Sequence, residues 1–411
     1  MGMKDFELYQ QILGLTQPWR VAEVTLHVAE RKVEVRVGYA DTIWGCPACQ
    51  QRMHIHDYEE RRWRHLDSCQ FQTIIVARVP VVKCPEHGTQ TVAVPWAEKF
   101  GRFTRWFERL AIDVLSECSI TGACAILGIS WDEADGIKQR AVKRGLARKL
   151  PAVLPRLCVD EKAMGHGQNY LTIVAQVSEG KTTVEYVGAE RQKESLDAFW
   201  EGLTAEQLAG VEAVAMDMWE PFVQSTLAHV PGAAGKIVHD PFHLVKYMNE
   251  AVNEVRQSEH RRLQAEGDDS LKNTRQLWLY GLENVPAKHA QRFEAVKALN
   301  FQTSRAWALK EVFRSFWLCD TRKQAAGYFA KWYGWAIRSR LNPVKKVARM
   351  CQRHLGNILT FFEHRLTNGP IEGLNNAIQG LIKKAFGYRN KERFKADIFF
   401  HFGGLDLYPA Q

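Results

Sequence analysis

Residues 210–219, GVEAVAMDMW, form an apolar run that ends on an acid, Asp217. A short apolar run of this kind is typical of a strand that is buried on both faces of a sheet. The following residues, EPFVQSTLAHV (220–230), predict a helix. A buried strand that leads into a helix is the repeating unit of sheets with parallel strands. This stretch therefore predicts an α/β domain with Asp217 at the end of a strand.

The segments on either side of this strand complete the predicted sheet. Three strands and a helix are predicted before it: RLCVDEKA (156–163), YLTIVAQV (170–177), KTTVEYVGA (181–189) and KESLDAFWEGLT (193–204). A fifth strand, GKIVHD (235–240), comes after it and leads into a long helix. The resulting order, β-β-β-α-β-α-β-α, is that of a ribonuclease-H-like fold. We expect Asp160 at the end of the first strand and Asp217 at the end of the fourth.

Residues 250–365 interrupt this pattern, because they are helical in character and lack strand-like alternation. We interpret them as a helical insertion. Their five tryptophans are expected in the core rather than against nucleic-acid bases: Trp278, Trp307, Trp317, Trp332 and Trp335.

The stretch after the insertion, NGPIEGLNNAIQGLIKKAFGYRN (368–390), predicts a helix that starts at Gly369–Pro370, since proline is tolerated at the first helical position. Apolar residues at helical spacing fix its buried face and leave Glu372 on a polar face in the first turn. A lone glutamate there usually only compensates the helix dipole. Two strand-end acids also need a partner, so we interpret Glu372 as a third carboxylate.

Three such carboxylates suit phosphoryl transfer with a pair of Mg²⁺ or Mn²⁺ ions. Hard cations prefer oxygen ligands, and two ions about 3.5–4 Å apart activate the attacking oxygen and stabilise the leaving one. We therefore expect Asp160, Asp217 and Glu372 to hold the metal. The polar face of the last helix and the basic residues that follow it are expected to bind the DNA backbone through Asn375, Asn376, Lys383, Lys384 and Arg389.

Two short knuckles near the N-terminus predict a structural zinc site. The first is CPAC, with Cys46 and Cys49, and the second is CPEHG, with Cys84 and His87. Each two-residue gap lets a tight turn present two ligands to one tetrahedral ion. Three further side chains rank lower as ligands: His54, His56 and Cys69.

Strands and basic residues surround these knuckles. Residues 21–38 alternate apolar and polar side chains and predict two strands around a turn near Glu30–Arg31. The stretch EERRWRHLD between the knuckles is basic and aromatic, so this finger is expected to contact DNA through Arg61, Arg62 and Arg64.

Residues 104–145 predict a helical region with the outline of a helix-turn-helix. Within it, SITGACAILGISWDEADGIKQRAVKRG (119–145) contains a short helix, a turn at Gly128 and a new helix. Ser130 and Glu133 have the spacing of a capping box that starts the second helix. Such a helix would enter a DNA major groove, and its expected outward-facing residues are Lys138, Gln139, Lys143 and Arg144.

Composition favours a nucleic-acid partner and excludes a membrane-spanning helix. The 411 residues carry a net charge of +9, and residues 340–395 hold 12 Lys and Arg against 3 Glu. Six of the nine cysteines lie outside the two knuckles and are expected as reduced residues. There is no apolar run of transmembrane length and no predicted signal peptide, so we expect a cytoplasmic protein.

These motifs resemble those of the DDE-type bacterial insertion-sequence transposases of the ISL3 family. The resemblance is carried along nearly the whole chain by CPAC, RRWRHLD, CPEHG, VDEKAMGHGQNYLTIV, VEAVAMDMWEPF, IVHDPFHLVKYMNEAVNEVR, LKNTRQLWL and TNGPIEGLNNAIQGLIKKAFGYRN. It implies that Asp160, Asp217 and Glu372 are the catalytic triad, and that the zinc finger and helix-turn-helix bind the terminal inverted repeats of the element. It also implies target DNA as a partner, homo-oligomerisation on DNA and association with the nucleoid.

The fold class expected from both lines of reasoning is a multidomain α+β protein. Its predicted parts are a zinc-finger domain (1–100), a helix-turn-helix domain (101–150), the first part of a ribonuclease-H-like catalytic domain (151–249), the helical insertion (250–365), and a catalytic C-terminal helix with a basic tail (366–411). Two other functions stay open: a metal-dependent nuclease of the same fold without strand transfer, and a non-catalytic DNA-binding protein derived from a transposase. Two interpretations also stay open for Asp240 and the nearby His243: an approach of Asp240 to the acids from the end of the fifth strand, and a structural hydrogen bond. Glu161 is expected to face away from the metals.

Overall fold

A computed structural model of the chain describes residues 5–164, 170–178, 180–299 and 301–410. The chain forms two compact units. The first contains Met1–Lys149, Phe399–His401 and Leu405–Gln411, and the second contains Leu150–Ile398 and Phe402–Gly404. Each unit has its own sheet and its own buried core.

The first unit begins with a short helix and a mixed sheet. Helix α1 spans Asp5–Ile12, and the strands are β1 (Trp19–His27), β2 (Lys32–Tyr39), β3 (Ile43–Gly45), β4 (Arg52–Arg64), β5 (Gln72–Cys84) and β6 (Gly88–Thr91). The strand order is β1-β2-β5-β4-β3, and β6 pairs with β5. Only β2 and β5 pair in parallel among the described strands of this sheet. The hairpin predicted within residues 21–38 is confirmed as β1 and β2.

Tryptophan side chains fill the core of this sheet. Trp19 lies 5.1 Å from Trp44 and 5.0 Å from Trp96, measured between ring centroids, and Trp63 lies 5.3 Å from Trp96. A fully buried large apolar side chain contributes about 1.5–3 kcal/mol to stability. This packing fixes β3 and β4, and the turn between these strands carries two of the predicted zinc ligands.

Three helices complete the first unit: α2 (Arg105–Glu117), α3 (Ile120–Leu127) and α4 (Trp131–Arg148). Gly128 ends α3 with a φ of 64°, a left-handed conformation that favours glycine. The Ser130 hydroxyl accepts from the N–H of Glu133, and the Glu133 carboxylate accepts from the N–H of Ser130. The predicted short helix, glycine turn and capping box are therefore confirmed.

The sheet of the second unit has five strands among the described residues: β7 (Arg156–Ala163), β8 (Tyr170–Ser178), β9 (Lys181–Ala189), β10 (Ala213–Met216) and β11 (Ile237–His239). Their order is β11-β10-β7-β8-β9, with β7, β8 and β9 antiparallel and β10 and β11 parallel to β7. This is the predicted ribonuclease-H-like arrangement. One detail differs, because Asp160 lies inside β7 rather than at its end: β8 pairs with β7 as far as Ala163 and so extends the strand.

Helices surround and follow this sheet. They are α5 (Lys193–Glu201), α6 (Ala205–Ala209), α7 (Glu220–His229), α8 (Pro241–Ala265), α9 (Arg275–Leu279), α10 (Ala287–Ala298), α11 (Gln302–Ser315), α12 (Arg322–Arg338), α13 (Asn342–Arg353), α14 (Leu355–Leu359) and α15 (Phe361–His364). The expected border between residues 249 and 250 falls inside the continuous helix α8. Of the insertion tryptophans, Trp278, Trp307 and Trp332 are buried, Trp317 is half-buried, and Trp335 is exposed.

The chain ends with α16 (Gly369–Lys384) and α17 (Lys391–Phe402). Ile371, Leu374 and Ile378 form the buried stripe of α16, as the helical spacing predicts. Phe400 belongs to the same core cluster as Phe107 and Ile137, so this part of the expected C-terminal segment packs within the first unit. Across the described residues, no helix combines the length and apolar character needed to cross a bilayer.

Candidate active site

Three aspartates stand in one row across the second sheet. Cys158 on β7, Ala215 on β10 and Val238 on β11 are neighbours in the parallel register. Two positions further along the three chain segments come three acids, Asp160, Asp217 and Asp240. Adjacent strands lie about 4.8 Å apart, and residues two positions apart point to the same face. The register therefore brings these carboxylates together at one edge of the sheet.

Glu372 comes to the same edge from the first turn of α16, and two hydrogen bonds hold that helix against β7. The side-chain amide of Asn375 donates to Asp160 Oδ2 at 2.7 Å. The ammonium of Lys162 donates to the backbone carbonyl of Asn375 at 2.9 Å. Residues three apart on a helix share a face, so Glu372 and Asn375 are both directed towards β7.

Asp240 joins the start of α8 to the start of α16. It is buried, and its Oδ1 accepts from the N–H of Asn368 at 3.0 Å, while its Oδ2 accepts from the N–H of His243 at 3.3 Å. The carbonyl of Asn368 in turn accepts from the N–H of Glu372 at 2.9 Å. Asp240 thus makes the structural hydrogen bonds expected of it, and through Asn368 it sets the position of Glu372.

Burial and mutual repulsion raise the pKa values of two of the predicted catalytic acids. For Asp160, burial is the main cause, and the charges of Asp217 and Asp240 raise the pKa further. For Glu372, burial again comes first, followed by the charges of Asp240 and Asp160. Several carboxylates in a poorly solvated site repel one another until a cation neutralises them. The electrostatics therefore favour a bound cation at this edge.

The donor set also fits a hard divalent cation. Asp160 Oδ1 accepts from the N–H of Glu161 at 2.8 Å, and Asp217 Oδ1 accepts from the N–H of Met218 at 2.6 Å, so each carboxylate has a fixed direction. Asn375 Oδ1 is buried without a hydrogen-bond partner. Carboxylate and amide oxygens are the ligands that Mg²⁺ and Mn²⁺ prefer.

The acids do not close into a compact cage. Among the described residues, one group of His, Cys, Asp or Glu side chains has at least three ligand atoms that all lie within 4.8 Å of one another. This group is in the first unit. Asp160, Asp217 and Glu372 are therefore brought to one edge but remain more widely spaced than that. A site that also admits a phosphate and a water needs such open positions.

Two contacts at this edge were not predicted from the sequence. The hydroxyl of Tyr247 donates to Asp217 Oδ2 at 3.4 Å. Arg191 pairs with Glu161 at 2.9 Å and lies 4.1 Å from the ring centroid of Trp219. Burial raises the pKa of Glu161 to about 7 even with Arg191 beside it. The position of Tyr247 near the acids could have been inferred from the sequence, because it follows His243 by four positions and shares its helical face.

The zinc ligands lie on the first sheet, where strand ends meet. Cys46 and Cys49 are in the turn between β3 and β4, whereas Cys84 is the last residue of β5 and His87 is in the turn that follows it. The N–H of Gln50 donates to the carbonyl of Cys46 at 2.8 Å and tightens the first knuckle. Gly88 has a φ of 65°, which lets the chain reverse directly after His87. The backbone N–H groups of Cys49 and Ala48 hold the pKa of the Cys46 thiol below its usual range.

The spacing of these four ligands fits a tetrahedral zinc ion. All four ligand atoms lie within 4.8 Å of one another. Cys49 Sγ is 3.7 Å from Cys84 Sγ, and Cys84 Sγ is 3.5 Å from His87 Nδ1. Zinc bonds of about 2.3 Å to sulfur and 2.0–2.1 Å to nitrogen give ligand separations of roughly 3.8 and 3.6 Å in a tetrahedron. The predicted ligand set is therefore assembled, whereas His54, His56 and Cys69 are outside it.

Two of the residues expected to face DNA from α4 are turned inwards. Lys138 is buried, with its ammonium 5.1 Å from the ring centroid of Phe400. The Arg144 guanidinium pairs with Glu98 at 3.4 Å and with the buried Glu108 at 3.2 Å. Helical spacing explains why Lys138 points inwards rather than towards DNA as expected, because it follows Ala134 by four positions and so lies on the buried stripe. Lys143 is exposed and Gln139 is half-buried.

The other residues expected to contact DNA differ in exposure. Arg61 is half-buried beside the ring of Trp63, Arg62 pairs with Glu34, and Arg64 pairs with Asp67. Asn375 is turned towards Asp160, as described above. Four residues of α16 and the segment after it are exposed: Asn376, Lys383, Lys384 and Arg389.

Comparison with known protein families gives three matches along the chain. Residues 157–398 match a transposase family model of ISL3 type. Residues 43–87 match the zinc-finger of the IS204/IS1001/IS1096/IS1165 transposases, and residues 92–142 match the helix-turn-helix domain of transposase family ISL3.

Two relatives are similar over most of their length. A transposase for insertion sequence element IS1001 from Bordetella parapertussis is 24% identical over 354 residues, which covers 85% of this chain and 86% of the relative. A transposase for insertion sequence element IS1557 from Mycobacterium tuberculosis is 24% identical over 424 residues and covers 95% of this chain and 94% of the relative.

Proposed function

We propose a mechanism for this chain, which belongs to the ISL3 family of transposases. In this mechanism, a catalytic triad is formed by Asp160, Asp217 and Glu372. The triad cuts DNA at the ends of an insertion sequence and joins those ends to target DNA. The observation that carries the proposal is the row of aspartates that the parallel strands align. Helix α16, which is hydrogen-bonded to Asp160 through Asn375, brings Glu372 to the same row.

The triad residues and their neighbours would hold the divalent ion. Bound Mg²⁺ or Mn²⁺ supplies positive charge that activates the attacking oxygen and stabilises the leaving oxygen at the phosphate. The backbone N–H groups of Glu161 and Met218 orient Asp160 and Asp217, and the lone pairs that remain on these carboxylates would hold the ion. Asn375 restrains Asp160 from the α16 side.

Two successive attacks on phosphorus would complete the reaction. In the first, a water oxygen bonds to the phosphorus at the transposon end, and the bond to the 3′ oxygen breaks, which releases a 3′-hydroxyl. In the second, that hydroxyl attacks a phosphate of the target, and the target's own 3′ oxygen leaves. Each step forms one P–O bond and breaks one. The carboxylates hold the reacting groups in place, which is where phosphoryl transfer gains most of its rate.

Recognition of the transposon ends is assigned to the first unit. Helix α4 follows the glycine turn and capping box of a helix-turn-helix, and its exposed Lys143 and half-buried Gln139 are candidates for contacts in the major groove. We propose that the chain pairs two ends as a homo-oligomer, and that its work on chromosomal DNA places it at the nucleoid.

The test is cleavage of labelled DNA that carries the element's own ends, with Mg²⁺ or Mn²⁺, by the wild type and by Glu372→Gln. The proposal predicts that the variant binds the ends as the wild type does but neither cuts them nor joins them to a target. Equal cutting by both proteins would contradict the triad. Cutting by the wild type without any joining would instead support the nuclease alternative.

A further inference from the structure

The helical insertion contains a strongly basic segment. Residues 321–362, which include α12 and α13, hold nine Lys and Arg and neither Asp nor Glu. On α13, Lys346, Arg349 and Arg353 are spaced by three or four positions and are all exposed, so they form one positive face. In the described part of the chain, none of the three forms an ion pair with an acid. Their charges are therefore available to an anionic ligand.

The positive face is one wall of a groove with a volume of about 830 Å³. The opposite wall is the face of α8 that carries Tyr247, Glu250 and Glu254, and Tyr333 from α12 also lines the groove. Its walls therefore differ in character, with cations on one side and a tyrosine and two carboxylates on the other. The volume lies in the range of sites that hold small organic ligands.

The groove leads directly to the proposed catalytic acids. Tyr247 lines it, and the hydroxyl of the same tyrosine donates to Asp217 Oδ2 at 3.4 Å. A strand that contacts Tyr247 in the groove is therefore one side chain away from Asp217. This continuity links the basic face to the reaction centre.

We infer that this groove binds unpaired nucleotides of the DNA strand beside the phosphate that is cut, with their phosphates on α13 and their bases towards α8. Cationic side chains bind phosphates, tyrosine rings stack on bases, and glutamate accepts hydrogen bonds from base amino groups. A duplex stacks the faces of its bases on one another, so it would leave the tyrosine rings without a base to stack on. The position relative to the cut phosphate rests on the proposed function, whereas the binding of unpaired nucleotides does not.

The first experiment measures binding without cleavage. The full chain is titrated, in buffer without Mg²⁺ or Mn²⁺, against a fluorescent duplex of arbitrary sequence that ends in three unpaired nucleotides. The variant Lys346→Ala/Arg349→Ala/Arg353→Ala is compared with a control that removes the same charge from exposed positions outside the groove, Arg261→Ala/Arg275→Ala/Lys288→Ala.

We expect the groove variant to bind at least tenfold more weakly and the control to bind nearly as the wild type does. The slope of log affinity against log salt should fall by about 2, since each lost contact with a single-strand phosphate removes about 0.7. An unchanged slope in the groove variant, or an equal loss in the control, would overturn the inference.

A second comparison tests the bases rather than the phosphates. Tyr333→Ala should weaken binding of the duplex with three unpaired nucleotides about tenfold and should leave binding of a blunt-ended duplex unchanged. Tyr333→Phe keeps the ring and should bind both DNAs normally. Equal weakening of both DNAs by Tyr333→Ala would contradict stacking. Because these measurements need no cleavage, they can succeed when Glu372→Gln still cuts, and they can fail when the triad is upheld.

Discussion

The two predicted metal sites of this protein are built in opposite ways. At the zinc site, four ligand atoms lie within 4.8 Å of one another, and all four residues come from two short knuckles at strand ends of one sheet. At the acid site, the carboxylates come from β7, the ends of β10 and β11, and helix α16, and the triad does not close to that spacing. One site is closed and local in sequence, and the other is open and assembled from distant segments.

This difference corresponds to a difference in role. A structural zinc site uses all its coordination positions for protein ligands and contributes directly to folding. A catalytic site has to leave positions for substrate, and its acids remain poorly neutralised until a cation binds. Burial is the main cause of the raised pKa values of Asp160 and Glu372, and the charges of the neighbouring carboxylates raise them further. The comparison therefore predicts that loss of a zinc ligand damages the fold, whereas loss of an acid damages the reaction.

The largest effect is expected when the closed site is broken. Cys84→Ser should lower bound zinc well below one ion per chain and unfold the first unit, because structural zinc is worth about 10–16 kcal/mol in small zinc-binding domains. Elemental analysis and thermal unfolding measure both changes. The control is Cys69→Ser, an exposed cysteine outside the ligand set, which should retain zinc. Full zinc in Cys84→Ser would refute the assigned ligands.

A smaller effect is expected from a variant that tests whether Asn375 positions Asp160 in the open site or contacts DNA. Asn375→Ala removes the amide that donates to Asp160 and should slow cleavage about 10–100-fold, the usual cost of losing a group that orients a metal ligand. The neighbouring Asn376 is exposed, so Asn376→Ala should cut at nearly the wild-type rate. Binding of DNA by Asn375→Ala should not change. Equal loss of DNA affinity in both variants would favour the original expectation that both asparagines contact the backbone.

The smallest effect concerns protons in the zinc-bearing unit. Burial, with Arg64 nearby, lowers the pKa of His65 to about 4, so the fold favours its neutral form. The unfolded pKa of histidine is about 6.5, and the stabilising contribution is therefore complete above pH 6.5 and is lost as pH falls towards 4. Between pH 7.5 and 5, the wild type should lose about 2 kcal/mol more unfolding free energy than His65→Gln. Zinc release affects both proteins alike, and equal losses would show that His65 does not titrate in this way.

The sequence predicted most where ligands are close along the chain or lie at predictable strand ends. The two knuckles each specify a pair of ligands by spacing alone. The strand order places Asp160 on β7 and Asp217 directly after the neighbouring strand β10. Asp240 was recognised at the end of the fifth strand, but its hydrogen bond to Asn368 depends on a chain reversal more than a hundred residues later. Such a contact has no local signal.

The predicted outward direction of two basic residues of α4 was wrong for a different reason, because helical spacing already indicated that they face inwards. Lys138 and Arg144 lie at helical spacing from the apolar residues of α4, and their charge alone suggested an outward direction. The buried Glu108 on α2 explains how the fold accommodates Arg144, which it binds at 3.2 Å. A buried acid on one helix can neutralise an arginine on the next, and single-helix periodicity does not reveal such a partner.

The most direct measurement is the Mn²⁺ content of the wild-type complex with transposon-end DNA, compared with Glu372→Gln, while zinc is measured in the same samples. An exposed acid, Glu194→Gln, provides the control. We expect Glu372→Gln to bind the DNA and keep one zinc per chain but to lose Mn²⁺ from the complex, whereas the control should keep both metals. Undiminished Mn²⁺ in the Glu372→Gln complex would contradict the assignment of Glu372 as a ligand of the open site.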